Sequence, residues 1–144
     1  MKEISLEGLI VGFTGSQKGM TKPQQKTVKR FLKQKPSEAH HGLCIGSDEE
    51  FHALARPRVD VICVHPCNIE EKRAKIDHWD MTQPVKPPLV RNKFMASQVE
   101  VLLATPKEDY EIRRSGTWAT IRAALKLWKT VIIVLCRARS FTVK

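Results

Sequence analysis

The stretch Val99-Glu100-Val101-Leu102-Leu103-Ala104, followed by Arg114-Ser115-Gly116-Thr117-Trp118-Ala119-Thr120 and then by Val131-Ile132-Ile133-Val134-Leu135, decides the fold. Apart from Glu100 both runs are apolar, and the last is rich in β-branched residues, as expected of strands covered on both faces. Between them Ile121, Ala124, Leu125 and Trp128 recur at helical spacing. The unit is strand–helix–strand, and Ser115-Gly116-Thr117 opens the helix. A helix start offers unpaired N–H groups and the positive end of the dipole. Gly116 permits close approach, and the Ser115 and Thr117 hydroxyls add donors, so the turn suits a phosphate. A plain Ser N-cap on a tight turn reads equally well from these residues.

The same alternation extends outward. Leu9-Ile10-Val11-Gly12-Phe13 is a short apolar run ending in Thr14-Gly15-Ser16, a first strand with a glycine turn. Thr21 caps a helix carrying Pro23 in its first turn and Val28, Phe31 and Leu32 on its inner stripe. Ala39 to Ile45 reads as a second strand, and Gly46-Ser47-Asp48 as a turn and cap. A helix with Phe51, Leu54 and Ala55 inward comes next, then Val59 to Val64 as a third strand. Residues 66–88 hold Pro66, Pro84, Pro87 and Pro88 without a clean period. They read as a loop or lid excursion over the site, anchored by Trp79 and Met81. Leu89, Phe94, Met95 and Val99 mark a further helix, and residues 105–114 a charged, mobile loop.

The pattern predicts an α/β protein with a three-layer Rossmann-like fold. A mainly parallel five-stranded sheet, in the order 3-2-1-4-5, forms one domain over 1–144. Ligands bind such sheets at the carboxyl ends of the strands where the order reverses, here between strands one and four. That point gathers Thr14-Gly15-Ser16, Thr105-Pro106 and Ser115-Gly116-Thr117.

Composition narrows the setting. The formal net charge is +10. Lys2, Lys18, Lys22, Lys26, Lys29, Arg30, Lys33 and Lys35 face only Glu3 and Glu7 in the first 36 residues. The excess favours an anionic partner: a nucleotide, a nucleic acid or an acidic surface. Lys22, Lys26, Lys29 and Lys33 fall on one stripe and read first as a solvated helix face. No apolar run reaches the roughly 20 residues of a membrane span, and no signal peptide is visible, so a cytoplasmic location without membrane contact is expected. Cys44, Cys63, Cys67 and Cys136 are then free thiols. Cys63-x-His65-x-Cys67, with His40 and His41 nearby, has metal-ligating residue types. It lacks a paired Cys-x-x-Cys and a matching second half, so neither metal nor cofactor is expected.

Three further motifs carry chemistry. Gly12-Phe13-Thr14-Gly15-Ser16-Gln17-Lys18-Gly19 has the glycine spacing of neither a dinucleotide fingerprint nor a P-loop. Its backbone can still face an anion, with Lys18 adding charge, or the glycines serve only a turn of positive φ. Asp48 and His52 are four apart at a helix start and share a face. Asp48 can orient a ribose hydroxyl, act as acid–base, or cap the helix. Arg91, next to Asn92, can clamp a phosphate bidentately or lie on an exposed basic turn.

Four motifs in order resemble the SLOG superfamily: Gly12-x-x-Gly15 at a strand end, Gly46-x-Asp48 at the second helix, Arg91-Asn92 before strand four, and Ser115-Gly116-Thr117 opening the last helix. That group includes the lonely-guy phosphoribohydrolases, the DNA-processing protein A domain and small nucleotide-sensing domains. The stretches HHGLCIGSDEEFHALA and RSGTWATIRAALK look like those of small bacterial and phage-borne members. The resemblance spans roughly Leu9 to Val134. It implies a nucleotide or nucleotide-derived ligand, bound by a sensor or sequestering module. Phosphate would lie at Gly15, Ser16, Ser115, Gly116 and Thr117 with Arg91 and Asn92, ribose at Gly46 and Asp48, and the base against Trp118 or Trp79. Two alternatives accompany it: N-glycosidic hydrolysis of a nucleoside monophosphate with Asp48 as catalytic group, and single-stranded nucleic-acid binding. A homodimer follows by analogy only. The lonely-guy signature Gly-Gly-x-Gly-Thr-x-x-Glu is broken here. Arg113 and Arg114 precede Ser115, and Thr120 stands where the catalytic glutamate should be. Leu43 likewise replaces the Asp that follows His-Gly in the small members.

Overall fold

Each central strand sends alternate side chains into two different cores, as a buried parallel sheet requires. In β5 (Val101–Thr105) Val101 and Leu103 join one core, while Leu102 and Ala104 join the other. In β6 (Thr130–Val134) Ile132 and Val134 face the first core, Val131 and Ile133 the second. The structure, a computed structural model, describes residues 4–137 and 139–144; Lys2 and Glu3 of the basic N-terminal segment lie outside them.

The first core is closed by α1 (Lys22–Leu32) and α2 (Ser47–Ala55), through Val28, Phe31, Leu32, Phe51 and Ala55. The second is closed by α3 (Pro88–Gln98) and α4 (Gly116–Lys126), through Met95, Ala96, Trp118, Ile121 and Ala124. The remaining strands are β1 (Ile10–Gly15), β2 (Glu38–His41), β3 (Val61–Val64), β4 (Met81–Thr82) and β7 (Ser140–Val143).

The sheet has seven strands in the order β4-β3-β2-β1-β5-β6-β7, parallel except for the β6–β7 pair. This corrects the expected five-stranded sheet at both edges. β4 comes from within the 66–88 excursion and pairs Cys63 with Met81, and β7 adds an antiparallel edge beyond β6. The order still reverses between β1 and β5. Part of the excursion is therefore sheet rather than lid. Trp79 packs against the first core and donates its indole N–H to Thr82 Oγ1 (2.7 Å), but Met81 is exposed and anchors nothing.

Local chemistry fixes the elements around the switch point. Thr21 and Gln24 form a reciprocal capping box at the start of α1. The Thr21 hydroxyl also donates to the Cys136 carbonyl (2.6 Å), and the buried Gln24 amide donates to the carbonyls of Pro106 and Val134. The second strand ends at His41, four residues short of Ile45. Leu43 adopts a left-handed φ of 53°, and the chain turns to bond the excursion through Ile45 N–H to Lys72 O and Ala74 N–H to Leu43 O. The charged 105–114 loop is held by Arg122, whose guanidinium bonds Glu111 and the carbonyls of Ile112 and Arg113. Among the described residues no helix is long and apolar enough to cross a membrane.

Candidate functional site

The carboxyl ends of β1 and β2, with the starts of α3 and α4, enclose an open cavity of about 780 Å³. That volume accommodates a nucleotide-sized ligand. Its floor is the β1 turn, Gly15 to Lys18. Gly15 is required sterically, because a Cβ there would collide with Thr105 Oγ1 and with Ser47. The Ser16 carbonyl accepts from Ser47 Oγ (2.6 Å), Ser47 N (3.0 Å) and Gly19 N (3.1 Å), which pins this turn to the start of α2.

The wall opposite is the start of α4. Ser115 caps it, its Oγ accepting from Trp118 N–H (3.3 Å), while Ala119 N–H bonds the Ser115 carbonyl. Among the described residues, the N–H groups of Gly116 and Thr117 find no acceptor. A Cβ built on Gly116 meets nothing within 4 Å, so this turn opens into the cavity.

The third wall is the 42–48 turn with Arg91. Asp48 is buried, and its Oδ2 accepts from the N–H groups of Gly42 and Cys44, both at 3.1 Å. Burial raises its carboxyl to about 6, against the opposing pull of the Arg91 charge and those two N–H groups. Burial, followed by the Asp48 charge, pushes the neighbouring Cys44 thiol up to about 12, so it stays protonated and inert. Arg91 is also buried. Its Nε donates to Asn92 Oδ1 (2.7 Å), its Nη1 to the carbonyls of Gly42 (2.7 Å) and His65 (3.0 Å), and its Nη2 contacts Cys44 Sγ (3.5 Å).

Of the residues singled out in the sequence, Gly15, Ser16, Asp48, Arg91, Asn92, Ser115, Gly116 and Thr117 meet at this cavity. Two do not. Trp118 is packed in the second core with Ile121 and Ala124, so it offers no stacking face. Gly46 has φ +87° and lies so close to the Gln17 carbonyl that a Cβ would collide with it; it shapes the turn and lines no part of the cavity. Trp79, on the first core, is likewise away from it. Arg91 needs a correction too: each pair of adjacent guanidinium donors includes one already spent on protein, so it braces the site rather than clamping a phosphate bidentately. His52 turns from Asp48 to pair with His41 (2.9 Å). Thr120 is fully buried and donates to the Gly116 carbonyl (2.9 Å), on the core side of α4.

Sequence reasoning missed several lining residues. Lys72 arrives from the excursion, and Lys107, Glu108, Arg113 and Arg114 from the loop before α4. With Lys18 and Arg91 they give six cationic side chains against two carboxylates, Asp48 and Glu108. Only the charge density of the 105–114 loop hinted at this.

No protein-family model matches the chain, and no curated protein matches it. The structure is similar to that of the molybdenum cofactor binding protein from the phototrophic bacterium Rippkaea orientalis, with a TM-score of 0.65. The match covers 91% of this chain and 78% of that one at 17% sequence identity. At that identity the likeness concerns the fold, an α/β layering on a mostly parallel sheet.

Proposed function

We propose that the protein binds a nucleotide or nucleotide-derived ligand in the cavity between β1, β2, α3 and α4, as a sensor or sequestering module of the SLOG type. The observation that carries this reading is the start of α4. Two N–H groups without protein acceptors, those of Gly116 and Thr117, open into a cavity with a strong cationic excess. A phosphate satisfies both N–H groups and the helix dipole together. The Ser16 to Lys18 turn contributes the Lys18 charge to the cavity rim, its Ser16 and Lys18 N–H groups being bonded to Thr105 O and Ser16 Oγ. Arg91 supplies charge from behind a hydrogen-bonded frame, and Asp48 stands at the ribose side. The similar structure being that of a cofactor-binding protein supports a small-molecule ligand.

Binding fits these residues better than hydrolysis does. N-glycosidic cleavage needs a carboxylate in hydrogen-bond reach of the ribose. Thr120 is buried in the core, and Asp48 Oδ2 is occupied by two backbone N–H groups. Native mass spectrometry of freshly purified protein tests the proposal. The expected result is a bound species of nucleotide mass that is lost on denaturation. A ligand-free spectrum, together with no binding of added nucleoside mono- or diphosphates by calorimetry, would refute it.

A further inference from the structure

On the far side of β2 and β3 from the first core lies a second polar cluster, which the cavity does not use. β2 and β3 are parallel with His40 directly opposite Cys63. Registered partners share a face, and alternate residues along a strand share it too. His40, Cys63 and the following His65 therefore project together, while His41 goes to the opposite face and meets Phe51 and His52. Phe94 of α3 closes edge-on against His65, and Gln83 of the excursion donates its amide N–H to Cys63 Sγ (3.6 Å). All three residues are buried, with exposures of 3%, 0% and 1%.

Their polar atoms turn toward one another. His40 Nδ1 lies 2.7 Å from His65 Nε2, and Cys63 Sγ lies 3.9 Å from the same nitrogen. One ligand atom from each residue falls within 4.8 Å of the other two. The outer nitrogen of His40, Nε2, is bonded to the Glu38 carboxylate. That bond places the His40 proton on Nε2 and leaves the Nδ1 lone pair facing the cluster. A carboxylate behind a histidine is the arrangement that orients metal-binding imidazoles.

We propose that His40, Cys63 and His65 form a binding site for a zinc-class divalent ion, with Glu38 as the positioning residue behind His40. Two imidazoles and a thiolate are a donor set such ions favour. Bonds of about 2.0 Å to nitrogen and 2.3 Å to sulfur put tetrahedral ligand atoms roughly 3.3 to 3.5 Å apart. The two rings need to part, and the sulfur to close on His65 Nε2, by about half an ångström each, with the sulfur also drawing in toward His40 from within 4.8 Å. On binding, the thiol releases its proton, and the proton that His65 Nε2 donates to His40 Nδ1 moves to His65 Nδ1, which frees Nε2 for the ion. The thiolate and Glu38 then offset the ion's two charges beside Arg91 and Lys86.

One residue links the site to the cavity. The His65 carbonyl accepts from Arg91 Nη1, so an ion that fixes His65 also fixes one anchor of the cavity wall.

Cobalt(II) titration of the chelator-treated full chain tests the proposal. Saturation is expected at one equivalent, with a near-ultraviolet thiolate-to-cobalt charge-transfer band and visible bands of tetrahedral intensity. Cys63→Ser is expected to abolish the charge-transfer band. Glu38→Gln should keep the band but weaken affinity by about 10- to 100-fold. His78→Gln, at an exposed histidine, is expected to match wild type. The wild-type titration is decisive even if Cys63→Ser folds poorly: no charge-transfer band at one equivalent overturns the site. A band that survives in folded Cys63→Ser overturns it as well.

Discussion

Gly116→Val tests the proposed phosphate cradle separately from the fold. Gly116 is the first residue of α4, its φ is not positive, and a Cβ there meets nothing within 4 Å. Valine therefore enters without strain or clash, and its helix propensity exceeds that of glycine by a few tenths of a kcal/mol. The melting temperature should hold or rise slightly. The two methyls project into the volume a phosphate needs in order to reach the N–H groups of Gly116 and Thr117. Hydrogen bonds to a charged group are worth about 1.5–3 kcal/mol each. Losing both costs about 3–6 kcal/mol, a fall in affinity of roughly 100- to 10,000-fold. Gly116→Ala, with one methyl, should fall between. Isothermal calorimetry with the nucleotide found by mass spectrometry, alongside thermal melts, reads both effects. A folded Val variant with wild-type affinity would refute the cradle. A variant that fails to fold would instead contradict the open space around Gly116.

Further outcomes follow from other residues. A mononucleotide at one cradle should show a shallow salt dependence; a log–log slope near −3.5, at about −0.7 for each of roughly five phosphate contacts, with no competition by mononucleotide, would mean single-stranded nucleic acid instead. Asp48 is raised from 3.8 to about 6 in the fold. Its protonated form therefore favours the folded state below about pH 4, and that advantage is lost as pH rises through 6, by about 3 kcal/mol. Asp48→Asn can still accept from Gly42 and Cys44, so its urea-denaturation stability relative to wild type should improve from pH 4 to 7; a constant difference would exclude the shift. Arg91→Lys cannot reproduce the bonds to Asn92, Gly42 and His65, and it should cost about 2–4 kcal/mol of stability by denaturant titration; a neutral result would remove Arg91 as the brace. Thr120→Glu buries a carboxylate in a core and should lower the melting temperature without releasing free base from AMP by chromatography; robust release by wild type would make the protein an enzyme.

What could be read in the sequence follows burial. Val101 to Thr105 and Val131 to Val134 are covered on both faces, so each is apolar throughout and stands out. β4 and β7 are edges: Met81-Thr82 is two exposed residues, and Ser140-Phe141-Thr142 is exposed as well. An edge strand needs no apolar run, and what makes Met81 and Thr82 a strand is the row of free groups on β3 rather than their own composition. The apolar run from Ala39 to Ile45 outruns β2, which ends at His41, for the opposite reason. Leu43 is apolar because it packs into the first core, while Ile45 is exposed, and both stand in a turn whose left-handed Leu43 leaves no mark in the hydrophobic pattern.

The site divides along the same physical line. Gly15 could be found because the close approach of Thr105 and Ser47 demands a residue without a Cβ, and the type is visible; no such demand acts at Gly116. Trp118 could have been placed correctly by its period: with Ile121 and Leu125 it stands at i, i+3 and i+7, the buried stripe of α4, and an aromatic beside a cradle is still bound by that spacing. The role of Arg91 could not be read, because its partners, the carbonyls of Gly42 and His65, are 49 and 26 residues away and carry no side-chain signal. The histidine–cysteine cluster is harder still. Cys63-x-His65 shows its shared face, but His40 joins it only through the parallel register of β2 on β3, and Cys67 leaves it to bond the Ile69 carbonyl. The three donors belong together only once the sheet exists, and the same sheet brings the His65 carbonyl to Arg91. The cluster and the cavity thus share one rigid element, so an ion that orders His65 should also tighten the Arg91 side of the ligand site.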